Sequence, residues 1–428
     1  MREMKESNIS WVGKMPCNWI IEKNKHCFQL EKNIVGENKD KFELLSLTKK
    51  GIIKKDESST GGKVPESFET YQSVKKGQLV MCLFDLDVSA VFSGLSNYDG
   101  MISPAYKVYN CNKIINKNYA KYWFECCFDG RKYKAYSKSL RYVVNTEDFG
   151  PIEILLPPKE EQEKIAEFLD KKITEIDNVI EKTKETIEDY KKYKTSIITK
   201  VVTKGVKKPN TQKRMKNCDE EISIDFDITK LKKICRINGR IGFRGYTQAD
   251  LVSEGEGAIT LSPSNFNEMK MNYEKCSYLT WEKYEESPEI QINNNDILFV
   301  KTGSSYGKSC LVRDLPMEAT INPQMIVLKN ISINVEYLQY YLQSNVLSIQ
   351  VERSVVGGTI PTIAQEKIGN YLIIVPSIKE QNDIVNYLNE KCNEINQLIN
   401  LKLKTIEELE EYKKSLIYEY VTGKKEVV

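Results

Sequence analysis

A single histidine, His26, stands in a chain of 428 residues, and this alone removes much chemistry. Histidine zinc clusters, a two-histidine iron site and paired-histidine acid/base catalysis all need more imidazoles than one. A serine or cysteine nucleophile would have only His26 to activate it. That residue sits beside Cys27 in a lysine-rich stretch with no nucleophile motif around it, so it reads as a packing or surface residue. The eleven cysteines are odd in number, irregularly spaced from Cys17 to Cys392, and contain no CxxC. Reduced thiols are expected, not a disulfide framework or a zinc ribbon.

What the chain does offer is cations set among tyrosines and glycines, which suits a polyanion. Arg131, Lys132, Lys134, Lys138 and Arg141 interleave with Tyr133, Tyr136 and Tyr142, with no acid between them. Such a stretch can contact phosphates through the cations, with tyrosine hydroxyls or rings nearby; the plainer alternative is a solvated helical face. Lys49, Lys50, Lys54 and Lys55 form a second basic patch, a candidate hairpin over Gly51. In the second half Arg240, Arg244 and Tyr246 lie among Gly239, Gly242 and Gly245, where a ligand could approach the backbone closely. Further along come Lys301, Ser304, Ser305 and Lys308 in a Gly-Ser-Ser-Tyr-Gly-Lys loop, and Thr359 after Gly357-Gly358. The loop is not a P-loop, because only three residues separate Gly303 from Gly307 where that motif needs four. Asn322-Pro323-Gln324-Met325 lacks the second proline and the aromatic of an amino-methyltransferase motif, so the chain is not expected to methylate by itself.

The elements that must position these residues announce themselves by repetition. Residues 157–203 align without a gap on residues 376–422, a shift of 219, with eighteen of 47 pairs identical. Weaker landmarks continue upstream, such as Ser103-Pro104 with Asn322-Pro323 and Asn116, Tyr119, Tyr122 with Asn334, Tyr337, Tyr340. The chain is thus read as a duplicated unit in which a variable region of about 150 residues precedes a well-matched one of about 50. From Lys159 to Lys200 no proline or glycine interrupts, and Leu169, Ile173, Ile176, Ile180, Thr183 and Ile187 recur at the 4-3 spacing of a coiled-coil seam. Leu388, Cys392, Ile395, Ile399, Ile406 and Leu409 hold the same phases in the second copy. Prolines precede both segments, and Gly205 and Gly423 follow them as stop signals. The seam could close on its own globular region or on another chain. The pairing expected is of the two helices with each other, antiparallel and with pseudo-twofold symmetry, as a rod on the order of 60 Å.

The variable regions mix short apolar strands, such as Gly77–Leu83, Asp296–Val300, Ile152–Leu156 and Tyr371–Val375, with tyrosine-rich helical spacing at Tyr119–Cys127 and Val335–Leu342. No regular βαβ alternation appears, so the fold class is α+β: two globular domains separated by two long helices. The expected domains are residues 1–156, 157–205 (long helix), 206–222 (polar linker), 223–375 and 376–428 (long helix). Apolar residues at 40% and charged residues at 29% suit a soluble globular protein. The net charge of only +3 means that nucleic-acid binding must rest on local patches. No run approaches the roughly 18 apolar residues of a membrane helix. The start has no apolar segment of a secretory signal, so a cytoplasmic location is expected.

In its order of variable region, helix, variable region, helix, the chain resembles the specificity subunit of type I restriction-modification enzymes. Pro157-Pro158-Lys159-Glu160-Glu161-Gln162 and Pro376-Ser377-Ile378-Lys379-Glu380-Gln381 open the helices. The start Trp11–Pro16 with Trp19, the phrase Gly100–Tyr106, the segment Asp296–Lys308 and Gly358–Pro361 add to the likeness. Phe226 stands where the family has its second tryptophan, and Asn293-Asn294-Asn295 replaces a glycine before Asp296. The resemblance implies a non-catalytic reader of a bipartite, asymmetric double-stranded DNA site in a prokaryote. It implies two modification subunits that bind S-adenosylmethionine and methylate adenine N6, and restriction subunits that use ATP and Mg²⁺; this chain would bind no cofactor and no metal itself. A coiled-coil scaffold that binds proteins, or a self-contained DNA enzyme, is the competing reading.

Overall fold

The computed structural model describes residues 2–55, 67–138, 142–207, 212–214, 221–356 and 360–427. Two compact units emerge: residues 1–183 with 403–428, and residues 184–402. Each unit therefore takes a share of both long helices, whereas the sequence boundaries kept each helix whole.

The helices run Lys159–Lys204 and Ile378–Val421, a few residues longer than the proline- and glycine-free span first suggested. Glutamates occupy both first turns, where the helix dipole favours them, and left-handed Gly205 and Gly423 end the helices as only glycine does without strain. The predicted seam residues Leu169, Ile173, Ile176, Ile180, Ile187, Leu388, Ile395, Ile399 and Ile406 are buried, and Leu409 is half-buried. Within the first unit Phe168 meets Tyr420 at 4.5 Å and Asp177 pairs with Lys413 at 2.9 Å. The two helical segments there run in opposite directions. Within the second unit Lys194 donates to Asn396 at 2.8 Å and the Val206 N–H, past the helix end, donates to Glu380 at 3.3 Å, so these segments too run in opposite directions.

The first unit is built on a four-stranded antiparallel sheet in the order Phe28–Glu31, Lys107–Cys111, Leu79–Met81, Ser93–Leu95. Ile20–Lys23 pairs with Glu153–Leu156 just before the first long helix, and Lys117–Phe128 forms a helix capped by Asn116. In the second unit the sheet order is Arg236–Gly239, Met325–Lys329, Ile297–Val300, Ser309–Leu311. Asp227–Lys230 pairs with Leu372–Val375, and Asn334 caps the helix Val335–Tyr341. The strands and helices expected from sequence fall in these places.

Two elements were not expected. The second unit adds a four-stranded sheet, Leu251–Val252, Ser277–Thr280, Gly257–Leu261 and Ala319–Ile321, whose last pair is parallel. In the predicted polar linker, Gln212–Arg214 pairs with Glu221–Ser223, a strand that runs one residue past the linker's expected end, and Ile222 is fully buried. A polar sequence without periodicity hid a strand pair anchored by one apolar side chain.

Candidate nucleic-acid interface

In the first unit the predicted hairpin forms, with Leu45–Thr48 against Gly51–Lys54 and Lys49-Lys50 as its two-residue turn. Leu45, Leu47 and Ile52 are buried and fix the register, while Gly51 takes φ 90° and Thr48 Oγ1 accepts from the Lys50 N–H. Lys49 and Lys50 are left exposed at the tip, and a two-stranded ribbon of this kind fits a DNA major groove. Lys54 pairs with Glu43 at 2.6 Å, and Lys55 is half-buried at the end of the described segment.

The stretch after Arg131 is not the open basic face that its composition suggests. Arg131, in the left-handed region at φ 55°, donates to the carbonyls of Leu86 at 3.2 Å and Ser89 at 2.6 Å. Lys132 donates to the Cys126 carbonyl at 2.7 Å and lies 4.6 Å over the Trp11 ring. Lys138 pairs with Asp148 at 2.5 Å. These cations tie loops together, because the surrounding carbonyls and rings offer them acceptors inside the unit. Among the described residues the Lys134 ammonium meets only the Tyr142 ring, at 4.1 Å. Arg141 lies outside the described residues.

Arg240 likewise turns inward. The residue is 7% exposed, and its guanidinium donates to the Ile321 carbonyl and Thr320 Oγ1 at 3.2 Å and stands 5.1 Å from the Tyr246 ring. Burial pulls its pKa down, while Tyr246, Glu286 and Glu289 push it back up. Arg244 faces Glu289 at 3.6 Å, and Tyr246 accepts from Thr260 at 3.5 Å. These contacts fasten the segment after Arg236–Gly239 to the strand Ala319–Ile321.

The Gly-Ser-Ser-Tyr-Gly-Lys loop joins Ile297–Val300 to Ser309–Leu311, two antiparallel strands, which confirms that it is no strand-to-helix P-loop. Gly303 and Gly307 adopt φ 98° and 82°, and Gly303 donates to the Pro361 carbonyl at 3.0 Å. Lys301 is half-buried, its ammonium finds no hydrogen-bonding or ionic partner among the described residues, and that burial lowers its pKa. Ser304 and Lys308 are exposed, and Ser305 is half-buried. Ser304 and Lys308 border a cavity of about 570 Å³ shared with Lys191, Lys194, Glu268 and Glu352. Thr359 lies outside the described residues. His26, the lone imidazole, pairs at 2.6 Å with Glu22, four residues back on the strand Ile20–Lys23, and its hydrogen bond holds that carboxyl below its usual range.

Sequence reasoning missed two sets of residues. Gln162 is 1% exposed; its carbonyl accepts from the Asn116 N–H at 2.7 Å and its amide donates to the Pro157 carbonyl at 2.9 Å. Gln381 does the same with Asn334 at 2.9 Å and Pro376 at 2.8 Å. The signal was present, since both pairs align under the repeat, but a glutamine in a charged helix start looks like solvent-facing polarity. The second set is a group of lysines spread from Lys75 to Lys159 that only the fold brings together around one cavity.

Two α+β units, each with the same order of strands in its main sheet and a share of both long helices, define the class of fold. Residues 95–189 and 225–408 match the family described as the type I restriction modification DNA specificity domain, and the chain belongs to that family. The type I restriction enzyme MjaVIII specificity subunit of Methanocaldococcus jannaschii is 25% identical over 327 residues, 75% of this chain and 73% of that one. The MjaX protein of the same organism, named provisionally as a specificity subunit, is 26% identical over 328 residues, 76% of this chain and 68% of the other. A chain from a type I R-M system, solved to explain its complex assembly and conformational transition, shares the fold with a TM-score of 0.68. Its identity is 16%, and the match covers 96% of this chain and 99% of that one. Among the described residues no helix is long and apolar enough to cross a membrane.

Proposed function

We propose that the chain is the DNA-reading subunit of a type I restriction-modification assembly, each unit reading one half of a split, asymmetric site. One observation carries the reading: the two units repeat the same frame while differing at their edges. Sheet order, helix-start glutamine and capping asparagine recur in both. So does a buried tyrosine: Tyr119 Oη lies 3.0 Å from the Leu155 carbonyl and 3.2 Å from that of Val421, and Tyr337 Oη lies 2.8 Å from Ile374 and 3.5 Å from Val202. A common frame carrying two dissimilar readers is what a bipartite, asymmetric target requires.

The opposed helix contacts in each unit support an intramolecular antiparallel coiled coil with pseudo-twofold symmetry, and helix length would set the gap of unread bases. Base and phosphate contacts would come from Lys49 and Lys50 on the hairpin, Lys134, and the Lys301, Ser304, Ser305, Lys308 loop. Two modification subunits would dock and methylate adenine N6 with S-adenosylmethionine, and restriction subunits would bring ATP and Mg²⁺; neither cofactor is assigned to this chain. A gel-shift assay with the modification subunit present tests the reading. A complex that forms on one sequence and resists unrelated competitor is expected, and indifference to sequence would sink the proposal.

A further inference from the structure

One corner of the first unit concentrates positive charge that its own structure leaves uncompensated. A cavity of about 670 Å³ opens between the turn at Gly77, the end of the strand Lys107–Cys111 and the starts of two helices, Lys117–Phe128 and Lys159–Lys204. Five lysines line it: Lys75, Lys76, Lys113, Lys117 and Lys159. All are exposed, and among the described residues none has a carboxylate within ion-pair distance. Lys159 donates to the Lys113 carbonyl at 2.9 Å. The acids on the lining are Glu31 and Glu163, and Glu31 has both oxygens occupied, by Asn110 at 2.7 Å and Asn33 at 3.2 Å. The balance of the lining is five cations to two anions.

The second unit argues that the fold does not need these lysines. Its matching turn has the same hydrogen bonds: Asn293 N–H to Asp296 at 2.9 Å, where Lys75 N–H meets Gln78 at 2.7 Å. There Asn293-Asn294 stand for Lys75-Lys76, Val335 for Lys117, Ile378 for Lys159 and Asn382 for Glu163. At the matching corner the nearby cations are paired, Lys329 with Asp296 and Arg313 with Glu336, each at 2.8 Å. One frame built twice, once neutral and once with unpaired lysines, points to a ligand on the first copy.

The chemistry of the lining narrows that ligand. Several mobile ammonium groups suit phosphates as point charges without bidentate geometry. Among the described residues no aromatic ring lines the cavity, and Ile115 is its main apolar side chain, so nothing is present for a nucleobase to stack on. A free nucleotide would leave its base unheld, whereas a run of sugar-phosphate backbone would not. We propose that this basin, on the first unit alone, binds consecutive backbone phosphates of duplex DNA without reading sequence. The proposal rests on the DNA-reading function argued above and adds an asymmetric anchor to it.

The test is the full-length chain assembled with its modification subunit, carrying Lys75→Gln, Lys76→Gln, Lys113→Gln and Lys117→Gln together, beside a four-arginine version. Affinity for a cognate and an unrelated duplex is followed across a salt series, with ATP and inorganic phosphate as competitors. Every phosphate that the variant ceases to neutralise flattens the slope of log K against log salt by about 0.9, so a fall of about 2–4 is expected on both duplexes alike. The methylated motif, read by sequencing, stays the same, and the arginine version restores affinity. An unchanged slope overturns the proposal, as does a changed motif or strong competition by ATP. Weaker subunit assembly at unchanged DNA affinity overturns it too, by assigning the basin to an acidic protein surface. A wild-type assembly that binds duplex without sequence preference sinks the reading function instead, and the basin's effect on the salt slope is still measurable.

Discussion

At the scale of single residues, the same side-chain type does opposite jobs according to what the fold puts beside it. Lys49 and Lys50 stand at a hairpin tip with no ionic partner among the described residues, while Lys132 is enclosed by Trp11 and the Cys126 carbonyl. Replacing both Lys49 and Lys50 by Gln is expected to weaken DNA binding and reduce the salt slope by about 2 without moving the melting temperature. Lys132→Gln should do the reverse, lowering the melting temperature by the loss of a charge-assisted hydrogen bond worth about 1.5–3 kcal/mol. Paired melting curves and salt-dependent titrations separate the two. The helix-start glutamines make a sharper case. Gln162→Ala would strand the Asn116 N–H and the Pro157 carbonyl in a buried corner, at a cost of about 1–3 kcal/mol, whereas Glu163→Ala one residue on should cost almost nothing. Denaturant titration of both variants checks this, and equal midpoints would show that water replaces the glutamine.

At the scale of elements, the long helices draw stability from the seam, since their outer faces are charged. A fully buried isoleucine or leucine contributes about 1.5–3 kcal/mol. Ile176 and Ile395, 8% and 5% exposed, lie in different units. Aspartate at either position buries an unpaired carboxylate, which costs on the order of 3–5 kcal/mol. Ile176→Asp with Ile395→Asp is therefore expected to abolish assembly and to lower the thermal midpoint of the circular-dichroism melt. A normal melt would mean that the seam does not bind where its burial says it does. The pairs Lys413–Asp177 and Lys194–Asn396 are the repeat's own equivalents, since 177 and 396 differ by 219, as do 194 and 413. The Lys413–Asp177 pair lies in solvent, whereas Lys194 is buried, so its tie to Asn396 is the one that disfavours slipped registers, because slippage would strand a buried ammonium.

At the scale of the whole molecule, the proposed division of labour makes the target a property of two readers and a gap. Insertion of one heptad into each long helix adds about 10 Å, or about 3 base pairs of B-form duplex. Methylation sequencing of cells carrying the lengthened chain should report the same two half-sites separated by about three more unread bases. Altered half-sites would contradict that division.

The sequence alone determined what depends on periodicity and self-similarity. The long helices, the inner face of each, the α+β class and the family resemblance were all legible, because burial of an apolar stripe leaves a 4-3 rhythm. The hairpin over Gly51 was legible too, since two buried leucines and a left-handed glycine admit few other conformations. Only the tertiary structure decided which cations the fold itself ties up. Arg131, Lys132 and Arg240 are cations like Lys49 or Lys117, and what sets them apart is what packs on them: carbonyls from 42 to 81 residues away for the two arginines, and for Lys132 the Cys126 carbonyl and the Trp11 ring. Charge is a property of a residue, but its availability is a property of the neighbours that packing supplies.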